Sequence, residues 1–219
     1  MAGRIEVVVF DCDSTLSRLE GIDELARRAG AGDLVAALTA DAMDGRIAME
    51  DVYGRRLQLV RPGAADLEWL GERYVATLVA GADRVVRALA AEGREVHVVS
   101  GGVRQPVVRL AAALGIDASR VHAVDVRLDA HGRYAGWDQD APTARGGGKA
   151  AVVGAIAAGR PAVMVGDGVT DLEARASGAR VIGFGGVAVR RRVRDEADAW
   201  VAGPSLDGVL DVIRNWDGA

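Results

Sequence analysis

Short runs of apolar residues, rich in valine and isoleucine, recur along the chain. Each run is continuous and does not alternate with polar residues, a pattern that is typical of parallel strands buried on both faces of a sheet. We interpret these runs as strands, at residues 5–10, 96–99, 121–126, 162–165, 181–184 and 199–201.

Amphipathic patterns with helical spacing separate most of the predicted strands. In the segment 82–91, for example, Val85, Val86 and Leu89 fall on one helical face. The same spacing recurs at residues 104–114 and 149–158. Strands that alternate with helices in this way predict an α/β fold with a Rossmann-like, doubly wound and mostly parallel sheet.

Two segments interrupt this alternation. The interval 16–79 contains no strand pattern, only amphipathic helical patterns at residues 22–29, 33–43, 49–59 and 65–78. We therefore expect a helical cap at 16–79, inserted into a core domain that comprises 1–15 and 80–219. In the second segment, 124–137, the turn sequence Asp129-Ala130-His131-Gly132 separates two extended stretches and predicts a β-hairpin.

Composition and charge narrow the range of functions. Half of the 219 residues are hydrophobic, which is enough for a substantial core, and the formal net charge is −4. A nucleic-acid binder would typically be basic, and no apolar run approaches the roughly 20 residues of a membrane span. A single cysteine, Cys12, fits a reducing compartment. We expect a cytoplasmic protein that binds neither nucleic acid nor membranes, in an oligomeric state that the sequence leaves open.

Polar motifs follow several of the predicted strands or begin a predicted helix. They are Asp11-Cys12-Asp13-Ser14-Thr15, Ser100-Gly101-Gly102, Gly146-Gly147-Gly148-Lys149 and Gly166-Asp167-Gly168-Val169-Thr170-Asp171. Because ligands bind beyond the carboxyl ends of the strands in an open parallel sheet, we expect these four motifs to form one site.

The side chains of these motifs suit the transfer of a phosphoryl group. Asp11 and Asp167 offer carboxylate oxygens to a hard cation such as Mg²⁺. Lys149, Ser100 and nearby backbone amides can hold phosphoryl oxygens. A carboxylate, Asp11, can then attack phosphorus to form an aspartyl-phosphate, while Asp13 serves as general acid and base. The motifs therefore predict a magnesium-dependent phosphatase.

The order and content of these motifs resemble the haloacid dehalogenase superfamily of phosphatases. Over residues 7–184 the chain is most similar to the phosphoserine phosphatases, whose fold is a Rossmann-like core with a helical cap. The resemblance implies that Asp11 is the nucleophile and Asp13 the general acid and base. It also implies that Mg²⁺ binds Asp11, Asp167 and the backbone carbonyl of Asp13, with Asp171 supporting the metal site from behind.

The resemblance also implies a substrate pocket shared by the core and the cap. In the cap, Glu20 would face the amino group of the substrate, Arg56 would pair with its carboxylate, and Met43 and Met49 would form an apolar lid. A zwitterion needs such an anion and such a planar cation. The implied substrate is O-phospho-L-serine, in serine biosynthesis. The core residues of the implied pocket are Ser100, Gly101, Gly102, Lys149 and Thr170.

Other substrates and other reactions remain alternatives. Thr170, Met49 and Val103 depart from the residues usual in the family near the pocket, so another small phosphomonoester is a second possibility. Transfer of the phosphoryl group to an alcohol other than water is a third possibility. A non-catalytic binding module would be expected to lack Asp13 or Lys149, and both are present.

Two further patterns suggest functions of other classes. Residues 183–188 match the G-x-G-x-x-A pattern of dinucleotide-binding oxidoreductases, but too few residues follow to complete the βαβ unit. We interpret this segment as a turn between a strand and a helix. The basic run 190–194 precedes Asp195 and Glu196, which favours a solvated helix face over a nucleic-acid patch.

Overall fold

The structure is a computed structural model that describes residues 3–43 and 49–218, without the side chains of residues 39–43, 49 and 50. The predictions for Met43 and Met49 concern side chains and therefore lie outside the described residues. The strands are β1 (Val7–Phe10), β2 (Glu95–Val103), β3 (Val121–Val124), β4 (Val126–Leu128), β5 (Tyr134–Trp137), β6 (Ala162–Gly166), β7 (Arg180–Phe184) and β8 (Ala199–Val201).

Helices alternate with most of these strands. They are α1 (Gly21–Arg28), α2 (Gly32–Met43), α3 (Met49–Val60), α4 (Ala64–Ala76), α5 (Ala82–Ala91), α6 (Arg104–Ala113), α7 (Gly148–Ala157), α8 (Val169–Leu172), α9 (Arg191–Glu196) and α10 (Asp207–Asp217). Among these described helices, none is both long enough and apolar enough to cross a membrane.

The fully buried strand β1 lies inside a six-stranded sheet and pairs with β2 on one side and β6 on the other. Every pairing is parallel, and the strand order is β3-β2-β1-β6-β7-β8. Val7 and Val9 pack with residues of α7, whereas Val8 and Phe10 pack in the cluster that includes α5, α6 and α10. Helices on both faces explain the continuous apolar strands, and the predicted doubly wound α/β fold is confirmed.

Two of the predicted strands differ most from those of the structure. β2 continues past Val99 to Val103, with a register shift against β3 between these two residues. The predicted strand 121–126 is divided between β3 and β4. The side-chain amide of Gln105 explains the break, because it donates to Val126 O at 2.6 Å and accepts from Val126 N at 3.3 Å. The backbone of Val126 is thus satisfied outside the main sheet.

Helices α1 to α4 fill the interval between β1 and α5, and their bounds agree with the predicted helices to within two residues. Where this helical segment joins the sheet, Ser17 and Leu78 form an antiparallel bridge. The segment thus leaves and re-enters the core at one place. The boundaries of the cap, 16–79, and of the core, 1–15 and 80–219, stay predictions.

β4 and β5 form the hairpin that the sequence predicts at 124–137. Trp137 of β5 packs on Tyr53 of α3, with ring centroids 5.0 Å apart. The carbonyl of Gly132, in the hairpin turn, accepts a hydrogen bond of 2.8 Å from Ala64 N at the start of α4. The hairpin therefore contacts two of the helices that cover the site described below.

The burial of Leu110 in α6 makes a prediction about stability. Leu110 is fully buried in the core, whereas Leu34 on α2 is 58% exposed. We expect Leu110→Ala to lower the free energy of unfolding by about 2–5 kcal/mol, because the truncation leaves a cavity. The matched Leu34→Ala is expected to change it by less than about 0.5 kcal/mol. Urea denaturation measures both, and equal effects would contradict the packing of α6.

Candidate active site

A cleft of about 300 Å³ lies between the carboxyl ends of β1, β2 and β6 and the helices α1, α3 and α4. Asp171 is fully buried and contacts Lys149, one of the residues that line this cleft. The cleft thus brings together almost all of the predicted site residues whose side chains are described. The predicted residues in its lining are Asp11, Asp13, Glu20, Arg56, Ser100, Gly101, Gly102, Lys149, Asp167 and Thr170.

Asp11 follows β1 directly and is only 7% exposed. Its backbone amide donates to Val165 O at 2.9 Å, so that it continues the pairing of β1 with β6. Its carboxylate Oδ1 accepts a hydrogen bond of 2.8 Å from Cys12 N, and Oδ2 lies 2.9 Å from Lys149 Nζ. Both oxygens are therefore held in a fixed orientation, as attack on a bound group requires.

Lys149 lies in the first turn of α7, next to a tight backbone contact. A Cβ on Gly148 would lie 1.7 Å from Pro142 O, so only glycine fits there. Lys149 Nζ is 2.9 Å from Asp11 Oδ2 and 2.6 Å from Asp171 Oδ1. Burial alone would lower the pKa of this amine, but the two carboxylates outweigh burial and raise it. The side chain is an ammonium fixed between two buried carboxyl groups.

Asp11, Asp167 and Asp171 form a buried carboxylate cluster, with one oxygen of each lying within 4.8 Å of the others. Asp167 accepts hydrogen bonds from Arg190 Nε at 2.9 Å and from Thr15 Oγ1 at 3.4 Å. Both oxygens of Asp171 are already engaged by hydrogen bonds within the protein. Clustered carboxylate oxygens are the donors that hard divalent cations prefer, so these residues fit a metal site.

The carboxyl group of Asp13 points toward the cap helices. Its Oδ1 accepts a hydrogen bond of 2.5 Å from the Tyr74 hydroxyl and one of 3.0 Å from Gly21 N. Burial, assisted by the nearby carboxylate of Glu20, raises the pKa of Asp13 to about 8. Near neutral pH this carboxyl therefore keeps a proton that it can give to a leaving group.

Ser100, Gly101 and Gly102 lie within the irregular part of β2, not in a turn after the strand as the sequence predicts. Ser100 is 1% exposed, and its Oγ accepts a hydrogen bond of 2.9 Å from Gly102 N. Together with Thr170 of α8, these residues form part of the core side of the cleft. Hydroxyl and amide groups at this side suit the oxygens of an anion.

Two charged side chains that the sequence predicts for the site, Glu20 and Arg56, line the helical side of the cleft. Glu20, at the start of α1, accepts a hydrogen bond of 2.8 Å from Ser14 Oγ, and burial raises its pKa. Arg56 of α3 lines the cleft and is half-buried, whereas its neighbour Arg55 is exposed. The helix thus turns one of two adjacent arginines toward the site. A carboxyl group and a planar guanidinium thus lie on the helical side of the cleft, opposite the residues that follow the strands.

Comparisons with known proteins agree with this geometry. A family model for haloacid dehalogenase-like hydrolases matches residues 5–178. The chloroplastic phosphoserine phosphatase of Arabidopsis thaliana is 39% identical over 199 residues, which cover 89% of this chain and 68% of that protein. This chain belongs to the phosphoserine phosphatase family of these hydrolases. The Homo sapiens phosphoserine phosphatase is 36% identical over 199 residues, covering 90% of this chain and 88% of the human protein.

A solved phosphoserine phosphatase has the same fold. Its structure, described as a phospho-aspartyl intermediate analogue, matches this chain with a TM-score of 0.78 at 26% identity. The match covers 95% of this chain and 99% of the other. Membership in the phosphoserine phosphatase family makes the chain an enzyme, a hydrolase, and not an oxidoreductase or a binding module. The glycines in the pattern 183–188 pack against Trp200 and Phe184, as expected for a turn.

Sequence reasoning missed several residues of this site, of which Arg190 and Tyr74 make the closest contacts with predicted site residues. Arg190 belongs to the basic run interpreted as a solvated helix face, which is wrong for this residue because it precedes α9 and lines the cleft. Its guanidinium lies 2.9 Å from Asp167 and 3.5 Å from Glu20. Tyr74 follows the helical spacing of core positions in α4, and no sequence signal distinguishes its hydroxyl.

The position of Lys149 between two buried carboxyl groups predicts that it stabilises the folded protein. Lys149→Met leaves the carboxylates of Asp11 and Asp171 buried without their shared cation. We expect the free energy of unfolding, measured in the presence of a chelator, to fall by about 3–5 kcal/mol. The matched control is Arg84→Met, which breaks an exposed pair with Asp207 and is expected to have little effect. Similar losses in the two variants would contradict the assignment.

Proposed function

We propose that this chain hydrolyses O-phospho-L-serine to L-serine and phosphate through an aspartyl-phosphate on Asp11. One observation carries the proposal: a single cleft joins the Asp11 and Lys149 pair of the core to Glu20 and Arg56 of the cap. The core residues suit a phosphate group, and the cap residues suit an ammonium and a carboxylate. The names of the relatives and of the solved structure support the same substrate.

Substrate binding would use both sides of the cleft. Lys149 and the Ser100 hydroxyl would hold phosphoryl oxygens, and the backbone amides of the β2 irregularity would add neutral donors. On the cap side, Glu20 would accept hydrogen bonds from the substrate ammonium and Arg56 would pair with the carboxylate. The reacting phosphorus would then be held against Asp11, which favours an in-line attack by its carboxylate.

In the first chemical step, an Asp11 carboxylate oxygen forms a bond to phosphorus while the bond from phosphorus to the serine oxygen breaks. Asp13 gives its proton to that oxygen, so that L-serine leaves as a neutral alcohol. In the second step, water attacks the phosphorus of the aspartyl-phosphate and Asp13 takes the proton of the water. The bond to Asp11 breaks, phosphate leaves, and Asp13 is protonated again.

A hard divalent cation such as Mg²⁺ suits the carboxylate cluster by the chemistry of its donors. Asp11, Asp167 and the backbone carbonyl of Asp13 would hold it, and Asp171 would fix the ammonium beside it. When bound, this ion offsets the negative charge of the phosphoryl group and the carboxylates. Arg190 adds a further positive charge at Asp167. Release of free L-serine would place the chain in serine biosynthesis, in the cytoplasm that its lone, buried thiol suits.

Substrate choice is tested with a pair of adjacent arginines. Phosphate release from O-phospho-L-serine and a set of sugar and alkyl phosphates is measured for the wild type, Arg56→Ala and Arg55→Ala. We expect the wild type to prefer O-phospho-L-serine and Arg56→Ala to raise its KM roughly 10- to 100-fold, because a charge-assisted contact is lost. The exposed Arg55→Ala should leave KM unchanged. An equal response to sugar phosphates would contradict the proposed substrate.

The nucleophile is tested by trapping the phosphorylated enzyme. We expect Asp11→Asn to reduce turnover by roughly a thousand-fold or more and to give no covalent phosphorylation after acid quenching, as followed by mass spectrometry. Asp33→Asn, at an exposed position of α2, serves as the control with normal turnover. Chelation should stop turnover, and added Mg²⁺ should restore it. Turnover at the wild-type rate in Asp11→Asn or in excess chelator would refute the mechanism.

A further inference from the structure

Tyr74 connects the helical segment to Asp13, the proposed general acid and base. It lies in α4, it is fully buried, and its hydroxyl donates a hydrogen bond of 2.5 Å to Asp13 Oδ1. The two residues are 61 positions apart in the sequence. The contact therefore forms only when α4 is packed over the cleft.

The two oxygens of Asp13 have different surroundings. Oδ1 accepts a second hydrogen bond, of 3.0 Å, from Gly21 N at the start of α1, so both of its donors come from the predicted cap. Oδ2 faces the core side, because a Cβ on Gly102 would lie 3.2 Å from Oδ2 and 3.1 Å from Ser100 Oγ. One oxygen is thus held by the cap, and the other faces the residues predicted to hold the phosphate.

This arrangement decides which oxygen carries the proton. An oxygen that already accepts two hydrogen bonds has little capacity left for a proton of its own, whereas Oδ2 remains available. Removing the Tyr74 hydroxyl would leave Oδ1 with a single donor. The carboxyl group could then rotate or carry its proton on the oxygen that faces away from the substrate.

We propose that Tyr74 is a positioning residue that holds Asp13 Oδ1, so that Oδ2 exchanges the proton with the leaving serine oxygen and with the attacking water. This inference rests on the proposed function. It adds a role for the cap in the chemical step, beyond its contacts with the substrate.

The packing around the Tyr74 hydroxyl supports its hydrogen bond to Asp13. A Cβ on Gly21 would lie 2.0 Å from the Tyr74 hydroxyl oxygen and 3.0 Å from Tyr74 Cζ. The space beside Gly21 is therefore occupied by the tyrosine hydroxyl, and a larger residue at position 21 would displace it. The glycine that donates to Asp13 is also the residue that leaves room for the second donor.

The test compares substrates that differ in their need for a proton. A serine alkoxide is a poor leaving group and depends on the general acid, whereas p-nitrophenolate leaves without protonation. We expect Tyr74→Phe to lower kcat/KM for O-phospho-L-serine roughly ten-fold or more, and to lower kcat/KM for p-nitrophenyl phosphate much less. Gly21→Ala, which displaces the hydroxyl from the other side, should show the same dependence on the leaving group. Tyr134→Phe, outside the cleft lining, is the matched control and should match the wild type on both substrates.

The outcomes separate this inference from the proposed function. Equal losses on the two substrates, or no loss in Tyr74→Phe, would overturn the positioning role while leaving the phosphatase intact. If the wild type hydrolyses aryl phosphates but not O-phospho-L-serine, the proposed substrate fails. The same comparison then uses the best alkyl phosphate, where the selective loss in Tyr74→Phe is still expected. Unfolding midpoints of each variant distinguish a kinetic defect from a loss of folded protein.

Discussion

The site depends on a balance of charge among side chains that are buried away from water. The buried carboxylates of Asp11 and Asp171 lie on either side of one ammonium, that of Lys149. Carboxylates this close, removed from water, would repel one another strongly without a shared cation. Burial and the nearby carboxylate of Glu20 raise the pKa of Asp13 to about 8. The carboxyl groups of the site thus differ in their partners: Lys149 lies between Asp11 and Asp171, whereas Tyr74 and the Gly21 amide donate to Asp13.

The sheet and the helices that cover it contribute different residues to the site. Asp11 and Asp167 follow strand ends, whose positions are fixed by parallel pairing. The hydrogen bond from Asp11 N to Val165 O, for example, continues the pairing of β1 with β6. Glu20 and Arg56 come from the helical segment, which contacts the rest of the chain through side chains, such as Tyr53 on Trp137, and through the hydrogen bond from Ala64 N to Gly132 O. The sheet side of the cleft therefore carries the pair of Asp11 and Lys149, and the helical side carries Glu20 and Arg56. Tyr74 links the two sides, because it lies in α4 and its hydroxyl donates a hydrogen bond to Asp13, which follows β1.

Much of this architecture follows from local sequence. Continuous apolar runs and helical spacing are enough to predict the sheet, because both faces of a parallel sheet are covered by helices. The site is predictable because motifs at the carboxyl ends of parallel strands lie close together, whatever their separation in the chain. Contacts between distant side chains are not predictable in this way. Arg190 reaches the site from a run of similar residues, and Gln105 ends a strand by bonding Val126. The catalytic and binding roles and the cap boundaries remain predictions, since geometry alone does not assign them.

Lys149 is the only lysine in the sequence of 219 residues, and the other strongly basic side chains are arginines. A guanidinium keeps its proton at every accessible pH and is a separate spectroscopic species from an amine. Isotopic labelling of lysine would therefore place a single side-chain reporter in the molecule, between Asp11 and Asp171. The surroundings of Asp11 and Asp171 can thus be followed by nuclear magnetic resonance without the overlap that a lysine-rich surface creates.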